Sequence, residues 1–242
     1  MPTRLSLFAL ISSILALATG CGKRGTAVEA GNRDQIIHIG NLAEPVDLDP
    51  HIISSHQDFN VVMSLFEGLV QYDAKTAEPV PAIAERWEMS ADNLTWTFHL
   101  RKTAKWSNGE PVTAHDFVYA FRRILSPGLG AEYANTLFVL KNGEEIFSKK
   151  VAPEQLGAKA ADDYTLVLSL ARPVPYLLTM LCHSTFYPLP KATIEKFGKS
   201  DQRGNPWTRV GNIVSNGYFT LAEWKPNQFI RVKRSETYWD RE

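Results

Sequence analysis

The chain has 242 residues, and its 26 basic side chains balance 26 acidic ones, so no chain-wide field draws in nucleic acid or an anionic membrane. A hydrophobic fraction of 44% suits one or two globular domains with a sizeable core. The amino terminus opens with Arg4 and then the apolar run Leu5 to Ala18. That run is shorter than the roughly twenty residues of a membrane span, so residues 1–20 read as a signal peptide with the small residues Ala18, Thr19 and Gly20 before Cys21.

Residues 21–32 carry little apolar content and read as a tether. Gln35 to Gly40 reads as a short strand, and the following NLAEPVDLDP, with Pro45 and Pro50, as an extended path. Phe59, Val62, Met63 and Phe66 mark the apolar face of a helix that Gly68 helps to close. Asp73 to Glu88 carries turns with Pro79 and Pro81.

The most informative stretch is Asn93 to Arg123. Leu94, Trp96, Phe98 and Leu100 alternate with Thr95, Thr97, His99 and Arg101, the period of a strand with one buried and one wet face. Ser107, Asn108 and Gly109 supply a turn. Thr113 and Asp116 form a capping box, with the Thr hydroxyl accepting an N–H and the Asp reaching back, and Phe117, Ala120, Phe121 and Ile124 follow at helical spacing. Ser126, Pro127 and Gly128 end that helix.

Further on, Ala131 to Lys150 reads as loop plus helix broken at Asn142 and Gly143. Leu166, Leu168 and Leu170 define a second alternating strand, Tyr176 to Leu181 and Lys191 to Phe197 read as helices, and Phe229 to Lys233 as a strand beyond Asn216 and Gly217. The class is mixed α/β. Cys182 lies in an apolar run and reads as a small buried hydrophobe rather than a nucleophile.

The string TFHLRKTAKWSNGEPVTAHDFVYAF resembles the signature region of the extracytoplasmic solute-binding proteins of the oligopeptide and dipeptide transport family. AEPVDLDPH, LFEGLV, KAADDYTLVLSLARPVPYLL, SNGYFTL and YWD are similar to their family counterparts, in the same order. The resemblance implies a periplasmic-binding-protein-like type II lobe, split into residues 33–56 and 191–242, with residues 57–190 as an inserted subdomain and the second lobe missing. It also implies an extracytoplasmic monomer that captures short peptides and passes them to ABC permease subunits; the alternative is a truncated, non-transporting interaction or structural lipoprotein, or a non-functional remnant. The Ala-Thr-Gly-Cys ending is similar to a lipobox, with Ala where Leu is commoner. By that likeness Cys21 is acylated and holds the protein at a membrane, each buried methylene adding about 0.8 kcal/mol; the alternative is a secretory signal with an incidental cysteine.

An extended peptide adds its backbone to a protein strand, so groups common to all peptides supply affinity while hydrated pockets accept varied side chains. The resemblance assigns that edge to Ala43, Glu44 and Val46, the main chain of Ala43 and Val46 pairing with ligand and Glu44 serving as a cleft carboxylate. It adds Tyr133 and His183 beside the cleft and Asn216 and Gly217 where lobe and ligand approach. Each has a plainer alternative: a solvated loop acid for Glu44, core for Tyr133, a helix-end cap for His183, an ordinary turn for Asn216 and Gly217.

No Gly-rich phosphate loop, Gly-x-Ser-x-Gly elbow or His-Glu-x-x-His motif occurs, so no enzymatic reaction and no cofactor are expected. His51, His56 and Asp58 lack the spacing of a metal site. Trp96, Phe98 and Trp106 have no surrounding basic groove and read as core rather than as nucleobase stackers.

Overall fold

Strand β4 (Thr95–Leu100) lies at the centre of the fold, and its alternation is obeyed strictly: Trp96, Phe98 and Leu100 are buried while the intervening residues are half-wet. In this computed structural model, which describes residues 25–241, β4 pairs antiparallel with β3 (Ala84–Met89) and with β6 (Thr165–Ser169). β5 (Ala158–Asp162) then pairs with the outer side of β6, so the sheet order is β3-β4-β6-β5. Phe98 sits opposite Trp87 on one side and Leu166 on the other, cross-strand pairs of the kind that fix register.

Helix α3 (Ala114–Ile124) covers β5 and β6, burying Phe117, Ala120, Phe121 and Ile124 completely. At its start the Asp116 carboxylate reaches back to the Thr113 N–H at 2.8 Å. The Thr113 hydroxyl donates to the same carboxylate at 3.1 Å, the Trp106 indole approaches it at 3.4 Å, and the expected Thr113–Asp116 capping box is in place. Gly109, at φ 89°, closes the preceding turn.

The remaining elements of residues 42–241 surround this unit. Helix α2 (His56–Leu65) follows the amino-terminal segment, β1 (Val70–Tyr72) and β2 (Pro79–Pro81) form a two-stranded hairpin, and β7 (Phe219–Lys225) with β8 (Phe229–Arg234) forms another. Short helices α4 (Gly143–Phe147) and α5 (Leu177–Leu181) and the helix α6 (Lys191–Phe197) fill the connections. One apolar core contains Phe66, Phe98, Phe117, Phe121, Phe186 and Trp207.

Two local expectations are corrected on α2. Met63 is 47% exposed, and Leu65 takes its place in the core with Val62. Gly68 lies beyond the helix end, and its role is close approach: a Cβ there would meet the Tyr187 ring at 2.8 Å.

Residues 25–41 form a separate unit. The expected tether holds a helix, α1 (Ala27–Asp34), because Thr26 and Glu29 make a capping box, Glu29 N–H to Thr26 Oγ1 at 3.1 Å and Thr26 N–H to Glu29 Oε2 at 2.7 Å. The strand expected at Gln35 to Gly40 is absent. Ile36, Ile37 and Ile39 are exposed without a ladder, and β-branched residues make a strand only when a neighbour pairs with them. The signal peptide and Cys21 lie outside the described residues.

Candidate functional site

The segment Leu42–Val46 runs along the surface, with Leu42 at 93% and Val46 at 86% exposure. Two carboxylates hold it. Asp58, buried in the first turn of α2, accepts the Val46 N–H at 2.9 Å through Oδ1 and the Ser55 N–H at 3.3 Å through Oδ2. The residue that caps the helix thereby also pins the segment. Glu44 accepts the Trp224 indole N–H at 2.5 Å and the Asn227 backbone N–H at 3.0 Å, both from the β7–β8 hairpin.

Tyr133 and His183 are brought together, their rings 5.4 Å apart, and Phe59 of α2 completes the cluster at 5.1 Å from His183 and 6.3 Å from Tyr133. His183 also caps the 3₁₀ turn Ser184–Phe186, its Nδ1 accepting the Thr185 N–H at 3.3 Å. Burial lowers its pKa, which favours the neutral ring.

Asn216 and Gly217 sit at the other end of α2. The Asn216 amide accepts the Glu67 N–H at 3.2 Å and donates to the Glu67 carbonyl at 3.0 Å, and the Gly217 N–H donates to the Leu65 carbonyl at 2.8 Å. A Cβ at Gly217 would lie 2.6 Å from the Leu65 carbonyl carbon, so only glycine allows this contact. All three groups of sequence-assigned residues therefore meet on α2. Asp58 and Leu65, which hold Val46 and Gly217 respectively, are separated by about 10 Å along the helix axis.

Sequence reasoning missed two buried networks. Glu67 accepts the Tyr238 hydroxyl at 2.6 Å and the Trp239 indole at 2.7 Å, with the Arg101 guanidinium 3.9 Å above the Trp239 ring. Burial pushes the Glu67 carboxyl up to about 7 despite these donors. In the second network Arg123 binds Asp49 through both terminal nitrogens, at 3.0 and 2.6 Å, while Trp207 donates to Asp49 at 3.1 Å and His51 Nδ1 lies 3.2 Å from Arg123. Burial disfavours Asp49 ionisation, but the Arg123 charge and hydrogen bonds outweigh it and hold the carboxyl below its ordinary value. Burial and the same Arg123 charge push His51 down to about 3, so His51 is neutral. The one signal in the sequence is an acid inside an otherwise apolar string, as in LFEGLV. Among the described residues no group of three or more His, Cys, Asp or Glu is arranged to hold a metal ion.

The family described as bacterial extracellular solute-binding proteins, family 5 Middle, matches residues 78–242. The chain belongs to this family. Periplasmic oligopeptide-binding protein OppA of Haemophilus influenzae is 41% identical over 236 residues, covering 96% of this chain and 42% of that protein. OppA of Escherichia coli K12 is 42% identical, covering 97% of this chain and 41% of that one. The crystal structure of Haemophilus influenzae OppA in complex with the peptide RPPGFSPFR superimposes with a TM-score of 0.78 at 42% identity, over 84% of this chain and 38% of that chain. The mixed α/β fold is thus that of the family-5 solute-binding proteins, and the chain spans about two-fifths of the length of these relatives. The relatives are named as binding proteins, not as enzymes.

Proposed function

We propose that this chain supplies part of the substrate-binding component of an ABC importer, capturing oligopeptides by main-chain hydrogen bonding and delivering them to membrane permease subunits without chemical change. It acts on the periplasmic side, as a monomer anchored through lipid on Cys21. Residues 33–56 and 191–242 belong to one lobe and residues 57–190 to a subdomain inserted in it. A peptide lies along Ala43–Val46, beside Tyr133 and His183, with Asn216 and Gly217 stiffening the far end of α2.

The observation that carries this reading is a bent surface segment, with Leu42 and Val46 exposed, that is held at the Glu44 carboxylate and at the Val46 N–H. Val46 is open to solvent while its N–H is fixed by Asp58 and the neighbouring Glu44 is fixed by Trp224. An edge held in this way loses little further entropy when a second backbone lies against it. The peptides that relatives are named for have the matching chemistry.

Calorimetric titration with tripeptides of varied side chains tests the proposal. Binding heat that tolerates side-chain exchange but falls when ligand amides are N-methylated is the expected result, because methylation removes donors and leaves the side chains intact. Absence of heat at about millimolar peptide, corresponding to less than about 4 kcal/mol of binding energy, overturns it.

A further inference from the structure

We infer that the β7–β8 hairpin is an arm that sets the position of the Ala43–Val46 edge, with the Trp224 indole N–H and the Asn227 backbone N–H as positioning groups that act through Glu44. The inference rests on the peptide-binding reading above and assigns Glu44 a joint's role in place of a ligand contact.

The arm is fixed at its base and grips at its tip. Just before β7, Asn216 and Gly217 bind the backbone of Glu67 and Leu65; just after β8, Tyr238 and Trp239 bind the Glu67 carboxylate. One buried residue therefore receives both ends of the hairpin. Between base and tip the two strands are mostly exposed or half-exposed, with Leu221 alone buried within them and Trp224, Ile230 and Val232 resting half-buried against the core. A register irregularity between Leu221 and Glu223 bends strands of this kind and re-aims what lies beyond.

At the tip, Asn227 adopts φ 59°, and its N–H donates to Glu44 Oε2 while the indole N–H of Trp224, within β7, donates to Glu44 Oε1. Charge-assisted bonds of this type are about twice as strong as neutral ones. The edge thus has one anchor on α2, through Asp58 and Val46, and a second on the arm, through Glu44. Removing the anchor at Glu44 leaves the bond between Val46 and Asp58 in place and loosens the edge on its hairpin side.

Amide hydrogen exchange of the full chain separates this from a general loss of structure. Trp224→Phe keeps an aromatic ring and deletes the donor; the Ala43, Glu44 and Val46 amides are expected to exchange about ten-fold faster, with Phe98 and Leu166 in the sheet unchanged. Glu44→Gln, a substitution at a half-exposed position, is the second variant, and the same three amides are expected to respond. Trialanine affinity is expected to fall about ten-fold in Trp224→Phe. A singly N-methylated trialanine is expected to lose less, because it no longer uses the full edge; a merely structural role would weaken both ligands equally. Unchanged exchange at 43–46 in both variants, or equal losses for both ligands, overturns the inference. If the wild-type chain takes no peptide, the peptide-binding reading fails on its own, and the exchange experiment still decides whether the arm positions the edge.

Discussion

Asn216 clasps Glu67 with both halves of its side-chain amide, accepting the Glu67 N–H at 3.2 Å and donating to the Glu67 carbonyl at 3.0 Å across 149 residues of sequence. The geometry is that of a sheet ladder supplied by a side chain, in a place where both backbone groups are buried. Asn216→Ala leaves two such groups without partners, each costing about 1–3 kcal/mol. A urea transition should register a loss of about 2–6 kcal/mol on that basis; a midpoint within error of wild type would contradict the clasp.

Gly217→Ala acts beside it by a different mechanism. The new Cβ would stand 2.7 Å from the Phe66 nitrogen and 2.8 Å from the Leu65 oxygen, backbone atoms that cannot rotate away, so a cost of about 1–3 kcal/mol or more is expected from overpacking. Gly109→Ala meets open space and suffers only from its φ of 89°, about 1 kcal/mol. Thermal denaturation of the two variants in parallel checks this order.

Breaking the Asp49–Arg123 pair should be among the most damaging single changes in the chain. Both side chains are almost wholly buried, so Arg123→Met strands a carboxylate, a loss of about 3–5 kcal/mol. Adding Asp49→Asn removes the stranded charge while its oxygen can still accept from Trp207. The double variant should therefore be more stable than Arg123→Met alone, which chemical denaturation would reveal; a double variant less stable than the single one would refute the account.

The pH profile follows from two buried groups of opposite sign. Glu67 has its pKa raised from 4.5 to about 7, so its folded-state preference for the proton contributes stability below the ordinary value that is lost as pH rises through about 7. His51 is lowered from 6.5 to about 3, so its contribution is complete above the ordinary value and is lost as pH falls toward about 3. Arg101 and Asp240 are the charges that face Glu67, with Tyr238 hydrogen-bonded to it and Tyr218 nearby. Between about pH 4.5 and 6.5 the two groups oppose each other. Glu67→Gln removes one of them, and its stability should drop more steeply than that of wild type as pH is lowered through this window. Urea midpoints at about pH 5 and about pH 7.5 measure the difference; parallel profiles would count against a titrating Glu67.

Elements whose cues are local are legible in the residue order itself: β4 from its alternation, α3 from its spacing and its Thr113–Asp116 start, β6, α5 and α6 from apolar runs bounded by proline and glycine. The family follows from strings such as WSNGEPVTAHDF, and the match over residues 78–242 bears that out. Strands β1, β2, β3 and β5 are not legible in this way, because three- to six-residue strands with mixed burial carry no strong period, and pairing is what makes them strands. The isoleucines from Ile36 to Ile39 mislead for the converse reason: strand propensity without a partner yields no strand.

What the sequence settles alone is therefore the sheet centre, the principal helices and the kinship. The tertiary structure decides what the polar residues do. Glu44, Asp58, Glu67 and Asn216 each find partners 12 to 183 residues away, and a side chain's hydrogen-bonding role depends on which distant groups folding brings within about 3 Å. Periodicity reports burial along one element; it holds no information about which distant groups meet there, and only folding brings the Glu44 carboxylate to the Trp224 indole and the Asn227 N–H.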